Sequence, residues 1–254
     1  MKTLSIINLK GGVAKTISSV NMAHILATVH RKRVLLIDND KQGNASKILN
    51  RHSYEKPGVA EIMTDRNIKT ADVIQKTDYP GLDIVTANMN LLTANLKVLL
   101  DQQRPQQTRF KRALSQVADE YDYCIIDNAP DINISTINAL VASDDVLIPI
   151  TIDDFALDGL AELREQIENT KEDLNPSLRF CGCFVTQYDR TNEADQQGEA
   201  YLKAQTEYKL LETHIRRTGK MKASTFAREP IISYSVRCGA AQDYKRLVEE
   251  YLKM

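Results

Sequence analysis

The chain has no apolar run approaching the roughly 18 residues that a membrane-spanning helix requires. Its short, charged start, Met1-Lys2-Thr3, leads straight into a strand-like segment instead of a secretory leader, so a cytosolic protein is expected. Cysteine is scarce: Cys124, Cys181, Cys183 and Cys238 have no CxxC spacing, which favours buried free thiols over a metal site. Cys181 and Cys183 are expected on opposite faces of one strand. A Pro-rich linker, an internal repeat and a low-complexity tract are also missing. At 254 residues, that leaves one domain spanning 1–254 as the expectation. The histidines at 24, 30, 52 and 214 are too scattered to suggest a shared chemical task.

What the chain does have is a series of apolar runs separated by helical patterns: Thr3–Asn8, Arg33–Ile37, Leu82–Thr86, Tyr123–Ile126, Val146–Ile150 and Phe180–Thr186. Continuous Val/Ile/Leu strands alternating with helices predict an α/β fold: a single, doubly wound, mostly parallel sheet flanked by helices and buried on both faces. The stretch from His52 to Tyr79, with Pro57-Gly58, reads as a surface excursion.

The first strand runs into Lys10-Gly11-Gly12-Val13-Ala14-Lys15-Thr16, and a helical pattern covers Ile17 to His30. Strand, glycine turn, Lys-Thr and helix is the order that a phosphate cradle requires. Gly11 and Gly12 let backbone N–H groups turn onto an anion, and the helix N-terminus adds partial positive charge. Lys15 is placed to reach the β- and γ-phosphates, and Thr16 to ligand Mg²⁺. The nucleotide-binding segment is therefore Lys10 to Ile17.

Carboxylates stand at two further strand ends, where open α/β sheets bind ligands. Val34-Leu35-Leu36-Ile37 ends in Asp38-Asn39-Asp40, followed by Gln42-Gly43-Asn44, and alternation puts Asp38 and Asp40 on the same side. Tyr123-Cys124-Ile125-Ile126-Asp127 has the Walker B form, whose carboxylate accepts from Thr16 or from a Mg²⁺-bound water.

KGG-V-x-KT, with its second lysine at the head of the loop, resembles the deviant Walker A motif of the ParA/MinD family of dimerising P-loop ATPases, and more its ParA branch. DxDxQGN resembles the family's Walker A′ segment. Asn128-Ala129-Pro130-Asp131, then Asn138-Ala139-Leu140 and Val146-Leu147-Ile148-Pro149, resemble its D-x-x-P, NAL and strand-Pro series. The likeness is specific from Met1 to about Leu163 and looser beyond.

The resemblance implies ATP and Mg²⁺ as cofactors and slow, partner-stimulated hydrolysis. Lys10 would cross to the partner's nucleotide in an ATP-bound homodimer, Lys15 would hold phosphate and Asp40 would orient the attacking water. Asp38 and Asp127 would act on Mg²⁺ through water. Three positions depart from the family pattern: Ala14 replaces a glycine, Lys41 a proline and Ala129 a proline. A positive φ at Ala14 would cost roughly 1 kcal/mol, while Lys41 is expected to matter little.

Charge is uneven beneath a net of −1. Residues 153–173 are mainly acidic and 209–246 mainly basic, with Arg216, Arg217, Lys220, Lys222 and Arg228 as candidates for contacting the phosphates of duplex DNA. A solvated face is the alternative. The family's use of carboxy-terminal basic residues for nonspecific DNA binding favours the first reading. It implies a nucleoid-associated partitioning ATPase stimulated by a ParB-like centromere-binding protein, with no membrane contact.

A MinD-like membrane or flagellar-placement ATPase is the alternative function. It would need a terminal amphipathic anchor, and Tyr244 to Leu252 reads instead as core packing. An iron–sulfur reductase of the related fold lacks a cluster-binding cysteine pair. Adenine contacts are expected from the loops after Phe180–Thr186 and around His214–Arg217.

Overall fold

The computed structural model describes residues 1–152 and 156–254; the first residues of the acidic stretch that opens at 153 lie outside them. The strands are β1 (Lys2–Ile6), β2 (Val34–Asn39), β3 (Ile74–Lys76), β4 (Leu82–Val85), β5 (Tyr123–Asn128), β6 (Asp145–Ile150) and β7 (Arg179–Val185). The helices are α1 (Lys15–Thr28), α2 (Asn44–Ile48), α3 (Val59–Thr64), α4 (Thr70–Val73), α5 (Asn90–Leu100) and α6 (Arg109–Ser115). They continue as α7 (Ile134–Ala142), α8 (Ala156–Asp173), α9 (Glu193–Ala204), α10 (Gly219–Ala227), α11 (Ile231–Tyr234) and α12 (Gly239–Leu252).

Among the described residues the strands form one sheet in the order β3-β4-β2-β5-β1-β6-β7, every pair parallel except β3 with β4. The predicted doubly wound architecture is present. Parallel strands need crossovers, and those crossovers cover both faces. That is why β2, β4 and β6 are buried at every position. Residues of α1, α11 and α12 pack with Leu4, Leu36, Ile125 and Leu147 on one face. Residues of α3, α5 and α6 pack with Leu35, Ile37 and Ile126 on the other, and α8 covers β6 and β7. β5 and β6 flank β1, so the loop after β1 opens at the crevice where the winding changes direction.

One sequence reading changes, and another holds for a different reason. The stretch from His52 to Tyr79 is not merely a surface excursion. Val59, Ile62 and Met63 of α3 are buried in the core beside α5, and β3 closes the sheet edge antiparallel to β4. Cys181 and Cys183 do join opposite-face clusters, but alternation alone would have put residues i and i+2 on one face. The β6–β7 register shifts where Val146 and Leu147 pair with Phe180 and Gly182. This bulge skips Cys181 and inverts the phase.

The terminal helix settles as core. Tyr244, Leu247, Val248 and Tyr251 are buried, α12 lies against α1, and the Tyr244 hydroxyl meets Ser18 Oγ at 3.0 Å. All four cysteines are buried free thiols.

Candidate nucleotide site

The loop between β1 and α1 carries its phosphate-binding potential in the backbone. Gly12 has φ 79°, and nothing lies within 4 Å of where a Cβ would project, so conformation and not crowding requires glycine here. Ala14 stands at φ 63°, ψ 29°, the left-handed region that its sequence had put in question. It is the residue before α1 and supplies no capping side chain. Among the described residues the leading N–H groups of α1 therefore face the loop without a capping side chain from Ala14, at the positive end of the helix dipole.

The loop is fastened from several sides. Asn8 donates to Pro149 O at 2.8 Å and accepts from Lys10 N at 2.9 Å. Gln187 Nε2 donates to Gly12 O at 2.7 Å, and Thr186 Oγ1 stands 3.1 Å from Val13 O. Lys15 is buried, and its ammonium donates to Lys10 O at 2.8 Å, which bends it back over the loop. Burial lowers its pKa, while Asp127, Asp40 and Asp131 pull the other way. These three carboxylates thus converge on Lys15 from three different segments. Asp131 was not among the sequence candidates, and Lys41 reaches it at 3.6 Å. A pair this exposed contributes at most about 1 kcal/mol, in keeping with the small consequence expected of the departure from proline.

Asp38 and Asp127 sit directly opposite each other on β2 and β5, both fully buried. Burial raises both carboxyls well above the ordinary range, and for Asp127 the neighbouring Asp38 adds to it. Their partners divide their roles. Asp38 Oδ2 accepts from Ser46 N at 2.8 Å and from Ser46 Oγ at 2.6 Å, and its Oδ1 from Asp40 N at 3.3 Å. Asp127 Oδ1 lies 2.9 Å from Ser19 Oγ, and the Thr16 hydroxyl also favours its ionised form. Its Oδ2 is buried without a hydrogen-bond partner among the described residues. An orphaned carboxylate oxygen beside Thr16 fits a metal-bound water. Asp38, with both oxygens occupied, fits a supporting position.

Asp40 is nearly buried at the mouth of the site, and its Oδ1 accepts from Gln42 N at 2.9 Å. Gly43 then turns the chain at φ 63°. A Cβ there would lie 2.5 Å from Ala87 O, so only glycine lets the segment close. Ser19 and Ser46 escaped the sequence reading. Ser19 had a signal, being one helical turn from Lys15; Ser46 had none, since its partnership with Asp38 depends on where α2 docks.

Both loops expected to approach the base line a cavity of about 440 Å³ beside Gly12, Ala14 and Ile17. Thr186, Gln187, Ile215 and Thr218 face it, with Met221, Thr225 and Tyr244. Arg216, Arg217 and Lys222 border the same cavity, so part of the basic flank abuts the nucleotide site. Arg216 is committed: its guanidinium makes two bonds to buried Asp243, at 2.7 and 2.9 Å. Lys220, Lys222 and Arg228 are exposed on or next to α10.

Comparison with known proteins agrees with this geometry. A family described as AAA domain matches residues 1–180. The chromosome partitioning protein ParA of Caulobacter vibrioides NA1000 is 32% identical over 99% of this chain and 94% of its own length. The sporulation initiation inhibitor protein Soj of Bacillus subtilis 168 is 38% identical over 98% and 97%. The chain belongs to the ParA family of P-loop ATPases. A solved relative of this ParA-type ATPase is cobyrinic acid a,c-diamide synthase from Mycobacterium smegmatis with a bound ATP analogue and magnesium. It superimposes with a TM-score of 0.85 at 26% identity, covering 100% of this chain and 95% of its own.

Proposed function

We propose that this ParA-type ATPase is an ATP-driven switch for DNA partitioning. ATP and Mg²⁺ pin two subunits together, the paired basic flanks hold nonspecific duplex DNA on the nucleoid, and a ParB-like centromere-binding partner stimulates hydrolysis and release. The observation that supports the reading is that one helix, α10, both borders the candidate base cavity and carries exposed cations. Met221, Lys222 and Thr225 border the candidate base cavity, while Lys220, Lys222 and Arg228 face solvent as a cationic group. A change at the nucleotide is thereby adjacent to the DNA-facing charges.

In this reading Lys15 exchanges its bond to Lys10 O for phosphate oxygens, and the uncapped N-terminus of α1 receives the remaining phosphate charge. Thr16 and Asp127 hold the metal's side of the site, Asp127 through its unpartnered Oδ2. Bound Mg²⁺ would neutralise charge developing on the phosphate oxygens. Asp40 orients the attacking water, and Lys10 reaches across the dimer.

The MinD-like alternative loses its support, because the apolar face of α12 is spent on the core. Duplex retention and anionic-liposome co-sedimentation, each with and without ATP, test the proposal. ATP-dependent, salt-sensitive DNA retention without liposome binding is expected. Liposome binding without DNA retention would overturn it.

A further inference from the structure

Phe226 is 93% exposed, although a ring this apolar is normally stabilised by burial. It lies on the outward face of α10. Lys222 is one turn before it on the same side and Arg228 follows in the chain, while Lys220 stands at the other end of the helix. Lys220 Nζ meets Ser235 Oγ at 3.2 Å, which brings α10 against the segment holding Tyr234 and Val236, exposed at 41% and 53%. A ring this exposed, with Lys222 on its own side, Arg228 two residues on and Glu229 as the acidic residue next to Arg228, is not an ordinary solvated face. Its charge is complementary to a polyanion, and its ring needs an apolar or stacking surface on the same partner.

We propose that Phe226 is an aromatic wedge that contacts the bases or sugars of duplex DNA, while the flanking lysines and Arg228 neutralise phosphates. The inference rests on the DNA-binding reading above and adds a salt-independent contribution to it. Cationic contacts weaken as counterions compete, whereas an inserted apolar side chain does not release counterions. A wedge between base steps is a recurring device for partly unstacking a duplex; the gain of about tenfold or more that one base–aromatic contact gives on a single strand is offset in part by the cost of unstacking.

The test is a salt titration of duplex affinity for the full chain with ATP and Mg²⁺, comparing wild type, Phe226→Ala, Phe226→Leu and Lys222→Ala. Because the ring is exposed, its removal does not threaten the fold. Phe226→Ala is expected to give a log affinity against log salt line parallel to wild type and weaker by about threefold to tenfold. Phe226→Leu should recover part of that loss. Lys222→Ala should flatten the slope, by about 0.9 for each phosphate contact removed. A Phe226→Ala line coinciding with wild type overturns the wedge while leaving DNA binding intact. Failure of wild type to bind duplex at low salt overturns the DNA reading itself. If wild type instead binds anionic phospholipid vesicles and Phe226→Ala does not, the patch is a lipid-facing surface and the wedge proposal fails.

Discussion

Ser46→Ala is the sharpest probe of how the site carboxylates are held. Ser46 Oγ donates to Asp38 Oδ2 at 2.6 Å and accepts from Ala87 N at 3.0 Å, with all three residues buried. Removing the hydroxyl takes away a hydrogen bond to a carboxylate, worth about 2 kcal/mol, and strands the Ala87 N–H at about 1 kcal/mol more. The expected loss at pH 8 is therefore about 3 kcal/mol.

The loss should depend on pH, and its sign follows from Asp38. Burial pushes its carboxyl up to about 7, so the folded state holds this proton more tightly than the unfolded chain. The contribution of Asp38 to stability then falls as pH rises from the ordinary carboxylate range through about 7, and Ser46 limits that fall by stabilising the ionised form. At pH 6 the carboxyl is largely neutral and its bond to Ser46 is worth about 1 kcal/mol, so the loss shrinks to about 2 kcal/mol. Urea unfolding of wild type and Ser46→Ala at pH 6 and pH 8, free of nucleotide and metal, measures both values. An equal loss at the two pH values, or one below about 1 kcal/mol at pH 8, would refute the account of how Asp38 is held.

Lys15→Ala should abolish ATP binding, since it removes the buried ammonium over the loop; Lys10→Ala should bind nucleotide yet fail to dimerise. Fluorescent-nucleotide titration and sedimentation velocity read both, and full dimerisation of the Lys10 variant would sink the trans role. Asp40→Ala should bind ATP and stay on DNA while hydrolysing at least about a hundredfold more slowly, because orienting the water acts on the transition state. Unchanged single-turnover hydrolysis would remove Asp40 from the chemistry. His24 is buried, with Nε2 3.1 Å from Ser233 Oγ, and burial lowers its pKa to about 4. The unfolded chain takes up this proton first, so the contribution of His24 to stability should fall by up to about 3 kcal/mol as pH drops from 6.5 to 4, opposite in sign to that of Asp38 over the same window. His24→Gln should remove that contribution, so that acidification from 6.5 to 4 costs the variant less stability than it costs wild type; an unchanged pH dependence would contradict the assignment.

The sequence alone determined whatever is decided by neighbours in the chain. A strand running into Lys10-Gly11-Gly12 and out through Lys15-Thr16 specifies a turn, a positive helix end and a reaching ammonium within a few residues, so the loop was legible before any packing was known. Buried parallel strands announce themselves in the same local way, as unbroken runs such as Val34-Leu35-Leu36-Ile37. Ala14 could be flagged from the sequence, but its left-handed φ had to be observed.

Tertiary structure decided the contacts between distant segments. The pairing of Ser46 with Asp38, the approach of Asp131 to Lys15 and the burial of α3 depend on how helices dock on the sheet, which no local pattern encodes. The bulge at Cys181 reversed the logic of alternation because register is a property of two strands. Arg216 and Phe226 make the same point from the surface. Both are plain members of a basic segment in sequence, yet the fold ties one to Asp243 and leaves the other bare, because only packing determines which side chains acquire partners.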